Sequence, residues 1–412
     1  MTAVDLLPAG FDPTDPDINA IALPHEQFKA MRATAPIHWV EQPPEARAGF
    51  YGTGYWAVTR HQEVREMSKD NENWSTAENG VIVRFAPDMT RDQVELQGAL
   101  LIHHDPPDHT KMRGIVSRGF TPRAIASLKE NLRDRAYKIV QEAVERGSGD
   151  FVEEIAAELP LQVIADFLGV PQEDRKKLFE WSNQMMAYDD PEIGSDPATA
   201  SMEILAYFDQ LANDRRENPR DDIVTKLISV GQDDDHGALT NDEFGFFVIL
   251  LAVAGNETTR NAISNGMQAF FEHPDQWELW KRERPETMVD EVIRWATPVT
   301  VFQRTAKKDV ELAGQPIAKG DRVFMFYASA NFDESVFDDP FSFNILRESN
   351  PHVAFGGHGA HYCIGANLAR MEIKLMFEAL ADLAPDIKPV GEPRRLRHGW
   401  LNAIKEMQVN YK

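Results

Sequence analysis

Apolar positions recur every three or four residues through most of this chain, the spacing that lines one face of a helix. Over 122–144 the pattern is continuous and stops near Gly147-Ser148-Gly149, a good termination signal. The same reading predicts helices over 151–168, 171–188, 198–217, 241–273, 274–282 and 285–296, with Pro and Gly between them. Strict alternation is rarer. Strand signals mark 55–59, 309–312 and 322–326, the last two separated by turns at Gly314 and Lys319-Gly320. The stretch 79–107 shows no clear period, and long connections of that kind inside a compact domain are often functional. The fold expected is mainly α with a small β region, with residues 1–24 as an extended N-terminal arm.

At 412 residues and 42% apolar the chain can bury a large core. It carries no Gly/Ser linker, low-complexity tract or fixed-period repeat, so 1–412 is expected to be a single large domain. A net charge of −23 argues against nucleic acid, whose phosphates need a basic face, and against attachment to anionic lipid. The longest apolar run, 246–254, is too short to span a bilayer, and the first residues lack the basic and apolar regions of a signal peptide. One cysteine excludes an internal disulfide. The cytoplasm is the expected location.

That cysteine carries the candidate chemistry. Cys363 ends the run Phe355-Gly356-Gly357-His358-Gly359-Ala360-His361-Tyr362, and a strong helical pattern follows over 366–383. A sulfur where a loop enters a helix meets free N–H groups and the positive end of the dipole, both of which favour the thiolate. Glycines at 356, 357, 359 and 365 let backbone approach something flat and bulky. A buried cysteine acting as a small hydrophobe, or a Cys/His nucleophile using His358 or His361, fits the local residues too.

Other patterns point the same way. Ala254-Gly255-Asn256-Glu257-Thr258-Thr259 lies midway along an apolar helix, where small residues open space and an acid adjoins a hydroxyl. His109 and Arg113 are one turn apart after Pro106-Pro107 and offer two donors to an anion. Glu291 and Arg294 share a helix face; alone they would be an ordinary surface pair, worth little.

The Cys363 loop, with His361 before it and Leu368-Ala369-Arg370 after it, resembles the haem-binding loop of the cytochrome P-450 family. Phe355 stands one residue further from the cysteine than is usual there, with Gly356 in its place. The Ala254–Thr259 motif, the Glu291/Arg294 pair, His109/Arg113 and Arg304 in Phe302-Gln303-Arg304-Thr305 fall in family order. The family's Arg after Asp-Pro is missing: Asp339-Pro340-Phe341-Ser342 has Ser there, and Arg347 is the candidate third partner of Glu291 and Arg294.

Within the family the chain is most similar to actinobacterial hydroxylases that oxidise a terminal methyl of cholest-4-en-3-one and cholesterol. The carriers are Asn79-Gly80-Val81-Ile82, the stretch from Leu251 to Asn261, Asn331-Phe332-Asp333-Glu334, Phe343-Asn344-Ile345-Leu346-Arg347, the run from Gly359 to Met371, and Gly399-Trp400-Leu401-Asn402.

The resemblance implies the cytochrome P-450 fold and haem b (iron protoporphyrin IX) ligated by Cys363, with His109, Arg113, Arg304 and His361 on its propionates. It implies a monooxygenase using O2, with Thr258, aided by Glu257, passing protons. A sterol would lie against Val81, Ile82, Phe85, Val253, Ala254, Val299, Phe302 and Trp400. No dinucleotide fingerprint or second cysteine is present, so electrons are expected from a ferredoxin and its NAD(P)H-dependent reductase. Lys111, Arg113, Arg118, Arg123 and Lys129 form a basic island suited to such a partner. The rival readings are another terpenoid or a fatty acyl chain as substrate, a thiolate-haem sensor, and a cysteine hydrolase without haem.

Overall fold

The computed structural model describes residues 7–220, 223–228 and 239–412, and helices dominate them. The longest, Asn241–Glu272, runs 32 residues. Its start is fixed by a capping box: Thr240 Oγ1 accepts from the N–H of Glu243, and the Glu243 carboxylate accepts from the N–H of Thr240 at 2.8 Å. Helices Glu158–Phe167, Arg175–Met186, Pro197–Glu217, Met288–Ala296 and Ala366–Leu383 pack against it. It is therefore buried almost all round, which explains why its apolar residues outrun a simple amphipathic stripe.

A small mixed sheet stands beside the helices. Its strands are β1 (Ile37–Glu41), β2 (Gly54–Val58), β3 (Trp74–Ser75), β4 (Val301–Ala306) and β5 (Arg322–Phe326), ordered β1-β2-β5-β4-β3. Only β2 and β5 run parallel, with Ala57 opposite Phe324. Two apolar clusters divide the sheet's faces, and both reach Val299 and Phe302. Among the described residues no helix is long and apolar enough to cross a membrane.

The expected mainly α fold with a small β region is the observed one, and the differences are local. The 122–144 helix is two: Thr121 caps Pro122–Ser127, and Lys129–Arg146 follows after a break at Leu128. The 151–168 segment opens with a π turn, Val152–Ala156, before Glu158–Phe167. The arm over 1–24 is not extended throughout. Residues 1–6 lie outside those described, and Pro16–Ile21 is a short helix capped by Asp15 with Pro at its start, a signal the alternation reading passed over. The aperiodic stretch 79–107 holds a capped helix, Arg91–Leu96, and two single turns, Gln97–Ala99 and Leu101–His103.

Glu291 and Arg294 are not a surface pair. Both side chains are fully buried; Arg294 Nη2 lies 2.8 Å from Glu291 Oε1, and Arg347 Nε reaches Glu291 Oε2 at 3.1 Å. Asn350 and the backbone N–H of Asn344 donate to the same carboxylate. Arg347 thus takes the third place, and its guanidinium also donates to the carbonyls of Asp338, Asp339 and Ser342.

Candidate functional site

The helix Ala366–Leu383 begins one turn after Cys363, and the preceding loop is held by a 3.0 Å hydrogen bond from the Cys363 N–H to the Phe355 carbonyl. The loop lies hard against the helix His61–Lys69. Gly359, at φ +109°, sits so close to Ser68 that a β-carbon there would come within 2.1 Å of the Ser68 carbonyl oxygen. Glycine is the residue that meets both demands. Sulfur is thereby presented to a cavity rather than to bulk water. The accessible surface of Cys363 is cavity surface. Burial pushes its pKa up, while the N–H groups of Gly365 and Ala366 and the cations Arg113 and Arg370 pull the other way.

The cavity encloses about 1640 Å³ free of protein atoms, part of it open to solvent. With Cys363, its lining includes His109, Arg113, Arg304 and His361 and an apolar row of the helix Asn241–Glu272. His109 and Arg304 are buried, Arg113 and His361 half-buried, and the four are crowded: the rings of His109 and His361 are 4.1 Å apart. Burial, then Arg113 and His104, lowers His109 to about 4; burial, then Arg304 and His109, lowers His361 further still. Arg304 is buried, and its one hydrogen bond among the described residues goes to the adjacent Gln303 carbonyl, at 2.8 Å. Arg113 donates to the Tyr362 carbonyl at 2.5 Å. No carboxylate among the described residues pairs with either arginine. The nearby Asp105 is taken up by Ser75, Thr76 and Lys307.

Buried cations without counter-charge are costly, and an anion with two carboxylates answers that cost. A thiolate ligand, a cationic margin and a slot bounded by glycines and small residues suit haem b. The chemistry of this donor set fits that group.

Among the residues expected at the site, Cys363, His109, Arg113, Arg304, His361, Thr258, Ala254, Val81, Val299 and Phe302 line this one cavity. Five do not. Glu257 turns to another side of its helix, buried, where its carboxylate takes the Arg260 guanidinium and the Ser182 hydroxyl at 2.9 Å. A single step along a helix rotates a side chain by about 100°, which carries Glu257 off the cavity face while Thr258 stays on it. Val253 beside Ala254 is displaced likewise, and packs with Ile82 in the cluster around Trp400. Phe85 stacks on Phe50 at 5.4 Å. Trp400 stands behind Phe302, its ring 6.0 Å away and its indole N–H on Tyr188 at 2.7 Å.

Wall residues that sequence reasoning missed include Phe247, Leu250, Leu251, Leu101, Ile102 and Phe355. The first three had a signal: with Ala254 and Thr258 they form an i, i+3, i+4, i+7 row on the central helix. Thr258 itself donates to the Ala254 carbonyl at 2.8 Å. Glu372, one face of the helix after Cys363, also lines the cavity, and burial raises it to about 8.

Known proteins share this architecture. The sequence model of the family described as Cytochrome P450 matches residues 285–381. A steroid C26-monooxygenase of Rhodococcus jostii is 61% identical over 98% of this chain and 86% of its own. One of Mycobacterium tuberculosis is 58% identical over 98% of this chain and 93% of its own. Among solved structures, a Mycobacterium marinum cytochrome P450 in complex with pseudoionone superposes with a TM-score of 0.86. It is 36% identical, with 94% of each chain covered.

Proposed function

Because the chain belongs to the cytochrome P450 family, we propose that it is a haem-thiolate monooxygenase hydroxylating the terminal methyl of a steroid side chain, with cholest-4-en-3-one or cholesterol as substrate. The observation that carries the substrate class is near-full-length similarity to two proteins named steroid C26-monooxygenase. The cavity supports it. Away from Cys363 and the cationic margin its wall is apolar, with Val81, Leu101, Ile102, Phe247, Leu250, Val299 and Phe302. Burial drives binding of so apolar a ligand, at roughly 25 cal/mol per Å².

When bound, the haem supplies oxygen activation, and a thiolate ligand favours O–O cleavage. The protein's share is positioning and protons. Cys363 would hold the iron through its sulfur, and Arg113, Arg304, His109 and His361 would hold the propionates. Ala254 keeps the wall small beside Gly255, which packs closely on Ile164, and Thr258 is a hydroxyl on that wall able to pass a proton. Glu257 reaches it only after leaving Arg260 and Ser182, so it is a gated proton source rather than a fixed neighbour.

Electrons come from a separate partner, for which an acidic ferredoxin suits the exposed cations Lys111, Arg123 and Lys129. Arg113 leaves the island because it turns inward to Tyr362, and the side chain of Arg118 lies outside those described.

The test is incubation of the purified, haem-loaded enzyme with a ferredoxin, its reductase, NAD(P)H and cholest-4-en-3-one, with product analysis by mass spectrometry. A hydroxyl on the terminal side-chain methyl is expected. Hydroxylation on the rings, or a spin-state shift with a linear fatty acid and none with the steroid, overturns the steroid reading.

A further inference from the structure

The bend Asn79-Gly80-Val81-Ile82 carries Val81 into the cavity wall, yet no regular secondary structure covers it. It runs along β4 beyond the end of β3, on the same edge, and one residue of that strand holds it. The backbone N–H of Gln303 donates to the Val81 carbonyl at 2.9 Å. The side-chain amide of the same residue donates to the Asn79 carbonyl at 3.1 Å and to the Ile82 carbonyl at 2.6 Å. Gln303 is fully buried, between Phe302 and Arg304, both of which line the cavity.

We propose that Gln303 is a positioning residue. Its buried amide bridges the two ends of the bend, locks Val81 against the cavity, and so sets which carbon of the substrate side chain reaches the reacting centre. This rests on the steroid side-chain reading and deepens it.

The geometry distinguishes a clamp from ordinary core packing. A residue there for volume alone could be apolar, whereas here three donated hydrogen bonds converge on one four-residue bend. The bend has no comparable support of its own. Gly80 adopts φ +70° and packs flat on His103, whose ring would lie 3.0 Å from a β-carbon at that position. Asn79 is tied at its side chain, to Thr305 Oγ1 at 2.9 Å and by Arg91 at 2.7 Å, which leaves its carbonyl to Gln303. A primary methyl is a harder target than the tertiary carbon beside it, so terminal attack depends on a wall that does not yield. A Val81 free to move would let the side chain slide deeper.

The test compares wild type with Gln303→Met, which keeps the length and removes the donors. In the haem-loaded, substrate-free protein, amide exchange over residues 78–85 should quicken about tenfold or more, as expected for two lost buried hydrogen bonds of modest net strength. With cholest-4-en-3-one, the share of product oxidised at non-terminal carbons should rise by a similar factor, with the reduced carbon monoxide spectrum unchanged.

Exchange that stays the same, or exchange that quickens while the product ratio holds, overturns the proposal. Should Gln303→Met not take up haem, Gly80→Ala strains the same bend from the other side and is expected to give the same two changes. A wild-type enzyme that leaves the steroid untouched overturns the substrate reading alone, and the exchange measurement then decides the clamp.

Discussion

Thr258 spends its hydroxyl on the carbonyl of Ala254, one turn back along the central helix, and so keeps its oxygen at the cavity surface. Thr258→Ala removes the hydroxyl proposed to pass protons and leaves Cys363 and the cationic margin intact. The variant is expected to bind substrate and consume NAD(P)H near the wild-type rate while diverting most electrons to peroxide. Measuring peroxide against hydroxylated product checks this, and unchanged coupling would place the relay elsewhere.

Glu372 makes a second residue-scale case. Its Oε2 has no partner among the described residues, and burial raises its pKa from 4.5 to about 8. Between those values the folded chain keeps a proton that the unfolded chain has lost. Stability therefore falls as pH rises through that window, by at most about 1.4 kcal/mol per unit. Glu372→Gln should remove this slope, so its urea midpoint should exceed wild type by more at pH 8 than at pH 5. An equal difference at both pH values would mean that Glu372 is hydrated. Cys363, His361, His109 and Arg113 were legible as cavity residues because each sits at a local signature, a loop before a helix or a Pro-Pro helix start, whereas Arg304, on a strand the patterning missed, came only from the family resemblance. Glu257 and Ile82 were misplaced because motif spacing names neighbours without saying which of them turns inward.

The stretch 338–350 contains no helix or strand, and hydrogen bonds to Arg347 and Glu291 substitute for one. Arg347→Met strips donors from three carbonyls and leaves Glu291 with one fewer cation in a dry site. Breaking a buried pair costs about 3–5 kcal/mol. The variant should lose its Soret signal and its far-UV helicity at a clearly lower temperature than wild type. An unchanged midpoint would show that Arg294 and Asn350 alone satisfy Glu291. At this scale the long helices were readable from periodicity, and 322–326 was placed to the residue. The breaks at Leu128 and Ala157 were not, because helical periodicity persists across them. Strand β4 was missed as well: its six residues are mostly buried and show no alternation to read.

Over the whole molecule the net charge is −23, and against that background Lys111, Arg123 and Lys129 are exposed cations close together in sequence. Reversing Lys111 and Arg123 together to Glu should slow reduction by an acidic ferredoxin severalfold or more at low salt and flatten its ionic-strength dependence, with the substrate spin shift unaltered. Stopped-flow reduction at two salt concentrations measures this; equal rates would move the dock to another face. The sheet has a different whole-chain consequence, which concerns time. Strand β2 pairs in parallel with β5, ~270 residues further along the chain. At ~5–20 residues per second, a ribosome needs roughly 15–50 s to deliver that partner. For that interval the nascent β1–β2 hairpin keeps an apolar edge open to every other chain in the cell, and soluble yield is set by how well chaperones or slow, cool expression shield it.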